Sequence, residues 1–215
     1  MRAFRSWGWA LAVALLAGAA AAAPLSRAEA LAALAQPDPG ARLAAVERLA
    51  EIGTMPDADR LLDRMHDGDP RVRASSAAAL WRIWGRSGDP AIDRLFARGV
   101  AQMEAAALGD ALATFNEIVR RKPAFAEGWN KRATILFLLG ENERSLQDCD
   151  QVFRRNPNHF GALSGAAQIH LQMGNVRSAL GFLRRALAVN PDLQGAAELI
   201  PRLEQHLREQ ERKTI

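Results

Sequence analysis

The chain has 215 residues, 49% of them hydrophobic, and its 28 Lys and Arg against 24 Asp and Glu leave a formal net charge of +4. The charges are interleaved with no block of one sign, so neither a nucleic-acid footprint nor a disordered tail is expected. A single cysteine rules out an internal disulfide, and the length suits one continuous elongated core.

The first 22 residues read as a secretory signal. Arg2 and Arg5 give a positive start, Trp7–Ala19 is apolar, and Ala20-Ala21-Ala22 offers small residues at a cleavage site. The cut is placed after Ala22, because Pro24 directly after it would be unfavourable. The alternative is an uncleaved anchor, since the apolar run to Leu25 approaches the ~20 residues that span a bilayer. Its many alanines make it weakly hydrophobic and favour cleavage. With no cysteine nearby, lipid attachment there is excluded. Loss of Arg2 and Arg5 lowers the formal charge from +4 to +2.

Residues 23–88 carry a weak repetition. Asp38-Pro39-Gly40-Ala41-Arg42 recurs as Asp69-Pro70-Arg71-Val72-Arg73, a step of 31 residues, with Leu49 and Ile52 matched by Leu80 and Ile83. Asp followed by Pro opens a helix, because the carboxylate accepts from free amides and proline fits the first helical position. A second helix is expected over Asp57–His66, with Leu61, Leu62 and Met65 inward. Helix pairs that open this way look like short HEAT-like repeats. Trp81 and Trp84 share one face with Ala77 and predict a packing joint to the repeats beyond Pro90. Asp89-Pro90 begins the next helix after a connection too short to be a flexible linker.

From there the period is 34. Pro123, Pro157 and Pro191 mark three blocks, 92–125, 126–159 and 160–193. Their eighth position holds Gly99, Ala133 and Ala167, and their twentieth holds Ala111, Ser145 and Ala179. The twenty-fourth holds Phe115, Cys149 and Leu183. Small residues facing large ones at fixed places are what two closely packed helices need. Gly140 and Gly174 fall where a left-handed backbone ends the first helix of each pair. The first block has Ala106 there and a glycine, Gly109, three residues later. Each proline follows the second helix and stops it. Residues 194–215 read as a capping helix with Leu199, Leu203 and Leu207 on one face, beginning or kinked at Pro201.

These blocks resemble the tetratricopeptide repeat (TPR) family over residues 92–193. From Trp81 to Leu207 the chain also resembles exported bacterial TPR proteins, through segments such as Pro123–Thr134 and Asn156–Ala166. The expected fold is therefore all-α, a right-handed helical-repeat solenoid of HEAT-like pairs, three TPR hairpins and a cap. The resemblance implies a protein or peptide partner, a place in the bacterial periplasm and no enzymatic activity. It also implies that the first helix of each pair lines a concave groove. That places Phe96, Val100 and Met103 in the groove, then Asn130, Thr134, Phe137 and Leu138, then Gln168 and Leu171, with acids such as Asp93 and Glu127 at one lip. The positions of a carboxylate clamp hold Phe96, Val100, Asn130 or Lys131, Gly161 and Gly165, so that clamp is absent. One rival occupant of the groove is the chain's own segment Ser26–Ala35.

No motif carries catalysis. Cys149 sits at a large core position, so burial is expected rather than reactivity. His66, His159, His170 and His206 have no ligand partner at metal-binding helical spacing. No phosphate loop, nucleophile elbow or haem motif is present, so no cofactor and no metal are expected. Arg98 and Arg132 share the seventh repeat position and are expected to bridge carboxylates such as Glu127 or Asp148.

Overall fold

The structure, a computed structural model, describes residues 23–213; the expected signal at 1–22 lies outside them. Among the described residues every regular element is helical. They are α1 (Arg27–Ala33), α2 (Pro39–Ile52), α3 (Ala58–Arg64), α4 (Pro70–Trp84), α5 (Pro90–Glu104), α6 (Leu108–Arg121), α7 (Ala126–Leu138), α8 (Asn142–Arg155), α9 (Phe160–Gln172), α10 (Val176–Val189) and α11 (Ala196–Lys213). None of these helices is long and apolar enough to cross a membrane.

The Asp-Pro pairs start helices as their chemistry requires. Asp38 accepts from the Ala41 amide, Asp69 from Arg71, and Asp89 from Ala91 and Ile92. The proline fits the first position each time. A 3₁₀ turn, Met55–Asp57, takes the start of the helix expected at Asp57, and α3 ends at Arg64. Asp57 is instead a buried anchor: Arg27 donates to both its oxygens, at 2.5 and 3.0 Å. Helices α1 to α4 share one core built on Ala30, Val46, Leu49, Leu61 and Leu80. Segment Ser26–Ala35 therefore belongs to this N-terminal layer, with Ala30 and Leu34 buried in it. It does not fill the groove.

Helices α5/α6, α7/α8 and α9/α10 form three hairpins stacked in order, and α11 packs on α10. Gly140 and Gly174 end the first helix of their hairpins at φ 78° and 77°. Ala106 takes the same role at φ 55°, while Gly109 lies inside α6. An L-residue there costs roughly 1–2 kcal/mol, which the surrounding hairpin must offset. The three prolines follow the C-caps Lys122, Asn156 and Asn190. Helix α11 does not begin at Pro201. It starts at Ala196 and runs through the proline, because Ala196, Leu199, Ile200 and Leu203 close the last core over Leu183.

The small-against-large pattern sets how closely helices approach. Ala111, Ser145 and Ala179 are fully buried, and so, nearly, are Phe115, Cys149 and Leu183. The Ser145 hydroxyl donates to the Ala133 carbonyl at 2.7 Å, so a polar group sits in the core without an unmet bond. Gly99 leaves no room for a side chain: a Cβ there would come within 2.6 Å of the Phe115 ring. Alanine has a helix propensity about 1 kcal/mol better than glycine, but overpacking costs ~1–3 kcal/mol. Gly99→Ala is therefore expected to lower the urea midpoint, and the same change made on a Phe115→Leu background to raise it. A higher midpoint in the wild-type background would show that the contact is not tight.

Candidate interaction face

Helices α7 and α9 show what the repeat does with its concave side. At the end nearest the inter-repeat loops, the side is shut. Asp93 accepts from the Ser87 amide and hydroxyl, at 2.8 and 2.6 Å. Glu127 is 2% exposed, and Gly161 lies under the Trp81 ring. A Cβ on Gly161 would fall 2.3 Å from that ring, so only glycine lets α4 approach.

The residues under α4 form a buried polar cluster that spacing along one helix does not reveal. His159 is fully buried, and its Nδ1 accepts from the Ala162 amide at 3.1 Å. A backbone amide can only donate, so the imidazole is neutral, carries its proton on Nε2, and donates to Glu127 Oε2 at 2.7 Å. Asn130 donates to the same oxygen at 3.1 Å, and the Lys131 ammonium lies 3.3 Å from the other. Burial works to raise the Glu127 carboxyl; the His159 hydrogen bond, Lys131 and Asn130 outweigh it and hold the group below the ordinary glutamate range. Trp84 stacks on His159 with centroids 4.4 Å apart, and Trp81 meets both His159 and Phe160 edge-on at 5.3 Å. The expected packing joint is thus at this place, with Trp84 buried and Trp81 37% exposed.

Next to this joint the concave side opens. Asn130, Thr134, Phe137 and Gln168 line a notch of about 70 Å³ with Gly161, Gly165 and Ile169. Water occupies ~30 Å³ of liquid, so the notch holds one small side chain. Leu138, 57% exposed, and Leu139, 43% exposed, lie at the C-terminal end of α7, and Leu171 is half-buried on α9. Phe96, Val100 and Met103 are not free for a ligand to the same degree. They pack on the first hairpin's core with Ile92 and Phe115, and Phe96 meets Phe115 and Phe125 edge-on. Phe137 also leans on core residues Ala133 and Cys149. Of the nine expected groove residues, four meet in one notch.

The arginines bridge as their shared position suggests. Arg132 grips Asp148 through two 2.7 Å bonds and also donates to Asn116 at 2.9 Å. It lies over the Trp129 ring, and so does Arg155. Arg98 comes only within 3.9 Å of Glu117. Cys149 is buried, and burial, helped by Asp148 and Asp150, pushes its thiol up to about 12. Burial thus favours the protonated thiol at neutral pH. Among the described residues no group of three His, Cys, Asp or Glu could hold a metal ion.

Comparison with known proteins agrees with this architecture. The tetratricopeptide repeat profile matches residues 136–199. A TPR repeat-containing protein of Rhizobium etli is 33% identical over 150 residues, covering 69% of this chain and 74% of the relative. Among solved structures, the first TPR domain of Spaghetti (RPAP3), bound to an HSP90 peptide, superposes with a TM-score of 0.52 at 17% identity. The match covers 54% of this chain and 93% of that one. The Yersinia enterocolitica type III secretion chaperone SycD, in complex with a peptide of the translocator YopD, gives 0.50 at 15% identity, covering 59% and 97%. The chain is a helical-repeat protein, and it belongs to the tetratricopeptide repeat family.

The Glu127 cluster gives the joint a pH dependence. A carboxyl held below its unfolded value contributes stability above the ordinary glutamate pKa of ~4.3 and loses it as pH falls through the folded value. Glu127→Gln keeps the shape without the charge. At neutral pH it should melt below the wild type, and the gap should narrow as pH falls below about 5. A gap that stays constant over that range in paired melting curves would mean that Glu127 is not charged in the fold.

Proposed function

We propose that the protein is a non-catalytic interaction scaffold of the bacterial cell envelope that holds an extended or helical partner segment on its concave face. The open notch between α7 and α9 supports this reading most directly. It offers one apolar side chain a seat against Phe137, with uncharged polar groups of Asn130, Thr134 and Gln168 at its edge. Leu138 and Leu139 add exposed apolar side chains at the C-terminal end of α7. Two structurally similar domains carry peptides, one of HSP90 and one of YopD, and the shared fold makes the same mode available here. A few such contacts dominate an interface of this kind.

Gln168 is exposed and makes no side-chain bond, so Gln168→Arg closes the notch without touching the core. Partner recovered with the wild-type protein from an envelope extract should be lost with this variant, while the melting temperature stays the same. Undiminished recovery would remove the notch from the binding face. Phe137→Ser is a poorer probe, because Phe137 also supports Ala133 and Cys149.

Export rests on residues 1–22, with their positive start, apolar run and alanine-rich site. The N-terminus of protein recovered from the periplasm should be Ala23. A sequence beginning at Met1 would mean that the segment is retained as an inner-membrane anchor.

A further inference from the structure

The seam between the N-terminal layer and the stack is built differently from the contacts inside either. Within the layer and within the stack, helices pack along one another; none of α1–α4 packs in that way on any of α5–α11. Among the described residues, one hydrogen-bonded link crosses the seam outside the connection 85–89: Arg73 donates to Asp192 at 2.7 and 3.3 Å. Otherwise the contact is chiefly Trp81 and Trp84 on His159 and Phe160. Next to these rings the packing is loose. A cavity of about 170 Å³ lies between Met55, Trp84 and Arg86 of the layer and Lys122, Phe125 and Asn156 of the stack. A close-packed interior holds few voids larger than one water. Trp84 Nε1 is buried without an acceptor, which offsets part of what burial of that ring contributes.

The connection is clamped at its two ends to different bodies. Arg86 donates to the Ala50 and Gly53 carbonyls of the layer. Ser87 donates from its amide and its hydroxyl to Asp93 of the stack. Rotation of one body against the other is therefore absorbed at the Arg86–Ser87 link, as at a hinge. Opening strands no charge. Glu127 is satisfied by His159, Asn130 and Lys131, all from the stack, and takes no hydrogen bond from α4.

We propose that the N-terminal layer is a hinged lid on the stack, turning at the Arg86–Ser87 link and latched by Trp81, Trp84 and Arg73, and that its closed position shortens the concave site. Gly161 lies both under Trp81 and in the wall of the notch, so lifting α4 lengthens the notch at that end. Use of the longer site by a partner rests on the reading of the notch given above; the motion does not.

Native-state hydrogen exchange in ¹⁵N-labelled full-length protein tests the motion without any partner. The Trp84 indole N–H reports the seam, the Leu49 amide the layer and the Ile135 amide the stack; all three residues are buried. The indole should exchange through an opening that needs less free energy than exposure of either amide. Its urea dependence should be smaller than theirs but not zero, because a lid that lifts exposes only the seam. Ile118→Val weakens the core that Ile118 shares with Ile135. It should speed the Ile135 amide about five-fold and leave the indole unchanged. Gly161→Ala, which sets a methyl against Trp81, should speed the indole about ten-fold. Asp192→Asn, at an exposed site, should speed it about three-fold. Four results overturn the proposal: an indole with the opening energy and urea dependence of the amides, an indole with no urea dependence, equal acceleration of indole and Ile135 amide by Ile118→Val, or an indole unchanged in both latch variants.

Discussion

A tryptophan pair from the first half of the chain rests on a neutral histidine from the second, and that histidine is held by a buried glutamate. The rest of the architecture hangs on this contact. Glu127 alone would be a costly buried charge. His159, Asn130 and Lys131 satisfy it, and the flat imidazole then serves as a platform for Trp84. Aromatic pairs of this kind add about 0.5–1.5 kcal/mol each beyond simple burial. Several of them at one joint, with the Arg73–Asp192 pair at 2.7 Å near the other end of α4, hold the two helical regions together.

The same contact decides how much of the concave side is left for a partner. Three hairpins alone would offer a trough along their first helices. Here the loop-side end is filled by α4, and the apolar residues of α5 are drawn into the first hairpin's core. What remains is a short, shallow surface with one notch. Such a surface suits a brief segment with one good anchor, and the affinity it gives depends on that anchor more than on area.

Most of the array is legible in the sequence because its signals are local or strictly periodic. The 34-residue step places the hairpins, the prolines place their ends, and the alanine, serine and glycine positions mark the close helix contacts. Asp followed by Pro gives three helix starts. The site is less legible, for physical reasons. Glu127 and His159 lie 32 residues apart and meet only because one repeat stacks on the next, so spacing along a single helix cannot reveal them. Repeat position two usually points into the trough; here Asp93, Glu127 and Gly161 are occupied by other parts of the chain. Pro201 marks no helix start, because the apolar residues around it outweigh one missing backbone donor.

Gly161 has a meaning beyond the room it makes. The three repeats are alike enough that the N-terminal layer meets three similar berths along one edge of the stack. At the second position of each block stand Asp93, Glu127 and Gly161; at the last stand Phe125, His159 and Leu193. Only the junction of the second and third blocks pairs a hydrogen-bonding ring with a position lacking a side chain. A slip of one repeat toward the N-terminus would drive Trp81 into the Glu127 carboxylate, and a slip toward the C-terminus would set Trp84 on Leu193, which offers no flat ring. The missing side chain at Gly161 thus excludes one neighbouring register and the His159 ring excludes the other, so that a modular array folds into a single arrangement.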